Sequence, residues 1–279
     1  MTQPQPSRLH WPPIIDRARE IVVASAVAMT LRMLFYSLVS EELIPNATYP
    51  YKRLSALTAE GRRQEMFPTL IDPTREIYRP LAFAGLDDLA EWVRSGYRLD
   101  RTEGQTHQLV LGVEKATQVA SLQTWFRDLG VPIVALRGYT SQSHVDEISE
   151  LIAADPRPSV LVYAGDFDPS GVDILRDFRR RGADRFDAIE QVALSWEQVE
   201  EHDLPPRLGK ATDSRARAFA ARHGRLVQVE LEALPPTVLR DLYQQVIDQF
   251  LDTSAFANLL AEEETQRAEA AARLNGGRG

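Results

Sequence analysis

The chain of 279 residues has no cysteine, which excludes a disulfide framework, a thiolate metal site and a cysteine nucleophile, and fits an intracellular compartment. It also lacks a long apolar run. The stretch IVVASAVAMTL is far shorter than the roughly 20 residues a membrane span needs, and the charged DRARE precedes it. A soluble, cytoplasmic protein with no membrane partner is therefore expected. Basic residues are in deficit, with 32 Lys and Arg against 40 Asp and Glu and a net charge of -8. That balance disfavours a protein that coats nucleic acid non-specifically, but it leaves local basic contacts open. No GxxxxGKS/T motif occurs, so any use of ATP would fall to a partner.

What is present is ordinary globular usage, 44% hydrophobic and 26% charged residues, over a length that suits two domains. The Pro- and Gln-rich opening, residues 1–13, reads as a disordered tail. From Ile14 to Glu42 apolar residues recur at helical spacing, with Leu31, Leu34, Phe35 and Leu38 on one face. A second helix is expected over Tyr51 to Gln64, presenting Lys52, Arg53, Arg62 and Arg63 to solvent. Two helices joined at IPN and followed by FPTLIDPTREI suit either a helix-turn-helix with a small wing or a plain helical hairpin.

GLDDLAEWVRSG reads as a further helix, and beyond it the rhythm changes. LVLGVEK, PIVALRG and SVLVYAGD are short β-branched runs, separated by the helical QVASLQTWFRDLG and VDEISELIAAD. Alternation of this kind predicts an α/β fold with a mostly parallel sheet flanked by helices. The chain then continues through strand and helix to a charged C-terminal helix and tail over residues 253–279.

Two strand ends carry chemistry. Glu114 closes LVLGV, and Asp166 and Asp168 follow LVYAG in DFDPSG. Ligands of open parallel sheets sit beyond the carboxyl ends of the strands. Side chains two apart on extended backbone point the same way, so Asp166 and Asp168 suit a hard divalent ion, Mg²⁺ above all. Glu114 suits a further ligand or a general acid/base. Each piece also has a plainer reading: DFDPSG as a turn with an aspartate helix cap, and Glu114 with Lys115 as an exposed charge pair.

LVLGVEKATQ, RGYTSQS and YAGDFDPSGVDI together resemble the Toprim domain, the metal-binding module of topoisomerases, primases and some nucleases. The DxDPxG form, with LSWEQVEEHDLPP, KATDSRARAF and VELEALPPTVLRDL, resembles more narrowly the topoisomerase VI A subunit and the related meiotic double-strand-break transesterases, over about Thr30 to Asp252. The resemblance implies a winged-helix DNA-binding domain over residues 14–100 and a Toprim domain with a family-specific extension over 101–252. LRMLFYSLV matches the family's Arg-x-x-aromatic-Tyr pattern, which makes Tyr36 the implied nucleophile and Arg32, one helical turn earlier, its cationic neighbour.

A phenol with a pKa of about 10 needs such a cation to attack a phosphate at neutral pH. An aromatic beside Phe35 in an apolar helix also reads simply as core. The implied activity is Mg²⁺-dependent breakage of double-stranded DNA by tyrosine transesterification, with Glu114, Asp166 and Asp168 at the metal and Lys52, Arg53, Arg62 and Arg63 on DNA. Lys115 and Lys210 are further candidates for phosphate, with a solvated lysine the favoured reading of Lys115. Tyr49 and Tyr51 match no nucleophile position in the family. A homodimer is implied, the tyrosine of one subunit working against the metal of the other. Relatives also use an N-terminal extension to engage a separate ATPase subunit; here only a short stretch precedes the winged helix. A hydrolytic Toprim nuclease, of the kind that would serve defence against foreign DNA, and a non-catalytic DNA-binding module are the rival readings.

Overall fold

The computed structural model describes residues 9–25, 28–72, 80–136, 141–181, 186–208 and 213–276. Helix α1 spans Trp11–Ala24, with proline in its first turn, where the missing N–H costs no helical hydrogen bond. Helix α2 spans Leu31–Ser40 and α3 spans Thr48–Arg63. The single helix expected from Ile14 to Glu42 is therefore two helices. Thr30 is the reason: its backbone is extended and pairs with Ile71 in a parallel bridge, while its hydroxyl accepts from the Met33 N–H at 3.2 Å and caps α2. Of the expected wing, residues 67–72 contribute only that bridge, and the remainder lies outside the described residues.

Helix α4, Leu86–Gly96, leads to the sheet. Strands β1 (Gln108–Val113), β2 (Ile133–Ala135), β3 (Ser159–Ala164) and β4 (Ala188–Ala193) are all parallel and lie in the order β2-β1-β3-β4. The crossovers run through α5 (Val119–Phe126), α6 (Gln142–Ala153) and α7 (Pro169–Arg181). Every residue of β1 and β3 is buried, as strands covered on both faces must be. Their alternation divides the core. Leu109, Leu111, Val113, Val160 and Val162 join a cluster that includes Leu34, Phe35 and Leu54 of α2 and α3; Val110, Leu161 and Tyr163 pack with α6 and α7. The N-terminal helices thus share a core with one face of the sheet.

β1 leads to one side of the sheet and β3 to the other. The strand order therefore switches between them, at the point where an open sheet forms a crevice beyond its carboxyl ends. Beyond β4 come α8 (Trp196–Glu201), β5 (Arg207–Leu208), α9 (Ala216–His223) and β6 (Val227–Gln228), with β5 antiparallel to β6. A 3₁₀ turn at Leu231–Ala233 and helix α10, Pro236–Phe250, follow.

The charged C-terminal stretch forms α11, Thr253–Gly276, packed on α4. Glu263 of α11 is 1% exposed. It accepts from Arg101 Nε (3.0 Å) and a terminal guanidinium nitrogen (2.6 Å), from Arg267 (2.5 Å) and from the Leu99 N–H (3.1 Å). Glu263→Ala removes the two-point partner of Arg101, leaves it with the Asp128 carboxylate at 3.5 Å, and is expected to cost about 1–3 kcal/mol in urea unfolding; a loss within error would show that the cluster is solvated. The Arg101 hydrogen bond holds the Glu263 carboxyl below the usual glutamate range. Its contribution is therefore full above the unfolded pKa of about 4.3 and is lost as pH falls through the lower folded value.

Candidate active site

The end of β1 and the end of β3 meet where the sequence places its carboxylates. The Glu114 N–H continues the ladder to the Ala164 carbonyl at 3.0 Å, and Glu114 Oε2 accepts from the Asp166 N–H at 2.8 Å. Asp166 is buried, with Oδ1 accepting from the Leu231 N–H at 2.9 Å and Oδ2 lying 2.6 Å from Lys115 Nζ. Asp168 Oδ1 accepts from the Gly171 N–H at 2.7 Å at the start of α7. Asp168 thus also performs the capping task that its turn sequence suits.

Gly171 makes this convergence sterically feasible. A Cβ there would press into the Asp166 carbonyl and lie 2.9 Å from Glu114 Oε2. Lys115, which a solvated reading leaves in water, is instead drawn inward. Its Nζ lies 3.3 Å from Glu232 and 3.4 Å from Glu230 as well as against Asp166.

Glu230 connects this cluster to the N-terminal helices. Its Oε2 lies 2.8 Å from Arg32 Nε and its Oε1 accepts from the Arg32 terminal nitrogen at 2.9 Å. Tyr36 lines the same cavity as that carboxylate, whose charge raises its phenol. Arg32, Tyr36, Asn46, Lys115, Asp166, Asp168, Arg207, Gln228 and Glu230 line one cavity of about 270 Å³. Residues more than a hundred positions apart in sequence are thereby gathered at the switch point of the sheet.

The electrostatics are those of crowded carboxylates. Burial pushes Asp166 up, to about 8; Lys115 opposes the rise, and Glu114 and Glu232 reinforce it. Burial also raises Glu114, against the pull of the Asp166 N–H and Lys115. Burial disfavours the charge on Lys115, yet Asp166, Glu232 and Glu230 hold its pKa well above the usual lysine range. Tyr36 is 3% exposed; burial and then Glu230 raise its phenol, with Arg207 and Arg32 opposing.

Among the described residues no group of three or more His, Asp or Glu stands gathered to chelate an ion. Mg²⁺ does not require one. It takes one or two carboxylates and completes its shell with water and phosphate. Asp166 and Asp168 are oxygen donors of that kind; Lys115 Nζ lies 2.6 Å from Asp166 Oδ2, so an ion there would have to displace the ammonium or share that carboxylate with it.

Of the basic residues expected on DNA, Lys52 and Arg53 are exposed on α3, Arg63 pairs with Glu60, and Arg62 turns to a second cavity of about 450 Å³ that Arg32 also lines. Tyr49 is exposed, and Tyr51 packs edge-on against Phe35 at 5.2 Å between ring centres. Lys210 lies outside the described residues. The sequence reading missed Glu230, Glu232 and Arg207. The alternation in VELEAL placed two carboxylates two positions apart, as in DFD, although in the structure Glu232 lies in the 3₁₀ turn after Glu230.

Compared with protein-family models and with curated proteins, the chain matches none. No described helix is long and apolar enough to cross a membrane.

Gly171→Ala is expected to force α7 away from the strand ends and to lower stability by about 1–3 kcal/mol, the range for overpacking. Denaturant unfolding checks the loss, and an unchanged midpoint would contradict the close approach.

Proposed function

We propose that the chain is a Mg²⁺-dependent DNA strand-breaking protein in which Tyr36 attacks a phosphodiester. A winged-helix N-terminal region would hold the duplex and the parallel-sheet domain would supply the metal. The observation that carries the reading is the shared cavity of Arg32, Tyr36, Lys115, Asp166 and Asp168. A tyrosine, cations and oxygen donors at a sheet switch point are what phosphoryl transfer to a phenol requires.

In the proposed step the Tyr36 oxygen bonds to phosphorus and the bond from phosphorus to one deoxyribose oxygen breaks. The phenol proton leaves to solvent or a carboxylate, and the deoxyribose alkoxide takes up a proton, leaving a phosphotyrosyl link and a free hydroxyl. Asp166 and Asp168 would hold Mg²⁺, with Glu114 beside them as acid/base or further ligand. The ion, when bound, supplies Lewis-acid stabilisation of charge on the phosphate and the leaving oxygen. Lys52 and Arg53 face outward for contacts along the DNA backbone.

Two copies of the chain, one for each strand, would complete a double-strand break. In the family that the sequence resembles, each tyrosine serves the partner's metal. Here Tyr36 and Asp166 share a cavity of one chain, which favours cleavage within a subunit. A separate ATPase subunit remains part of the proposal only for strand passage. The burial of Tyr36 and its raised phenol favour a second reading, in which water attacks and Tyr36 is structural.

Asp166→Asn is expected to abolish Mg²⁺-dependent cutting of supercoiled plasmid, and parental cutting by it would exclude the metal assignment. Tyr36→Phe is expected to stop cutting while DNA binding survives; cutting at the parental rate would establish the hydrolytic reading. Mixing the two variants tests the subunit arrangement. The mixture stays inactive if tyrosine and metal act within one chain, whereas restored nicking would show that they act across the dimer.

A further inference from the structure

Three cations line the cavity, and two of them already have carboxylate partners. Arg32 is gripped at two nitrogens by Glu230, at 2.8 and 2.9 Å, and Lys115 lies against Asp166, Glu232 and Glu230 at 2.6 to 3.4 Å. Arg207 differs. Among the described residues it forms no ion pair, and its Nε is buried without an acceptor. A phosphate approaching Arg32 would have to compete with a two-point guanidinium–carboxylate pair. At Arg207 it would displace no carboxylate.

The backbone holds Arg207 in that position. In the β5–β6 pair Arg207 stands opposite Gln228, and extended backbone two residues on brings Glu230 to the same side as Gln228. The Phe167–Val229 bridge fixes this segment to the DFD loop, and Asn46 Nδ2 donates to the Pro205 carbonyl at 3.4 Å, tying the approach to β5 to the turn between α2 and α3. Asn46 Oδ1 is itself buried without a donor on the same cavity. The guanidinium is thus carried by both halves of the site.

We propose that Arg207 is the residue that binds the non-bridging oxygens of the scissile phosphate, while Arg32 serves to hold Glu230 beside Tyr36. This rests on the phosphodiester reading above. A guanidinium fork matches two phosphate oxygens at once, and in a partly buried cavity such a donor gains strength as charge develops in the transition state.

Two measurements on the full chain separate this inference from the reading it rests on. The first is binding of a short blunt DNA duplex without divalent ions over a series of salt concentrations. Arg207→Ala is expected to weaken binding and to reduce the slope of log K against log salt by about 0.9, the loss of one phosphate contact. Arg207→Lys keeps the slope, and Arg240→Ala, an exposed charge on α10, serves as the control with no change.

The second measurement is Mg²⁺-dependent cleavage. Arg207→Ala is expected to lose about a hundredfold in rate, as for removal of one transition-state donor, with partial recovery in Arg207→Lys. A parental slope and a parental rate in Arg207→Ala overturn the Arg207 assignment, and loss of cutting in Asp166→Asn alone would leave the phosphodiester reading standing. A parent that binds DNA without cutting it leaves Arg207 to be judged by the slope. A parent that binds no DNA overturns both.

Discussion

The Lys115 ammonium, held among Asp166, Glu230 and Glu232, is the contact on which the rest of the site depends. It joins the end of β1, the loop after β3 and the segment after β6. Through Glu230 it reaches Arg32 and the N-terminal helices. Each such pair is worth about 4 kcal/mol at an effective dielectric of 20, while burying an ion costs several kcal/mol. The two nearly cancel, so the cluster adds little net stability. Its effect is positional: it holds three segments of the chain and the N-terminal helices at one point.

The same cluster states the chemical problem of the cavity. Glu114, Asp166, Asp168, Glu230 and Glu232 are five carboxylates, and Lys115 and Arg32 are the two cations paired among them. Burial and mutual repulsion outweigh Lys115 at Asp166, whose pKa rises to about 8. That rise lets Asp166 shed its charge by taking up a proton, and a DNA phosphate entering there would add a further anion beside Glu230 and Asp168. More positive charge is needed for it to bind, and a divalent ion at the strand ends together with Arg207 would supply it.

The strands and their ends were legible because β1 and β3 are buried along six residues each, long enough for an apolar run to stand out and for a carboxylate at its end to look misplaced. The break between α1 and α2 was not, because the apolar spacing runs through it. Thr30 leaves the helix for a bridge to Ile71, forty-one positions away, and only tertiary structure supplies that partner. Arg207 and Glu230 sit in or beside strands of two residues, too short for any periodicity to register. Arg32 and Tyr36 were found by resemblance, yet the grip of Glu230 on Arg32 within the cavity that Tyr36 lines came only with the fold.

The most direct test is to trap the reaction of the parent protein with DNA in denaturant, digest the DNA with nuclease and the protein with trypsin, and locate the modified peptide by mass spectrometry. Cleavage after Arg32 and Lys52 releases the segment Met33–Lys52, which carries Tyr36, Tyr49 and Tyr51 and lets fragment ions distinguish them. A nucleotide-phosphate mass on Tyr36 is the predicted result. Cut DNA with no linked peptide, or the mass on another residue, would contradict it.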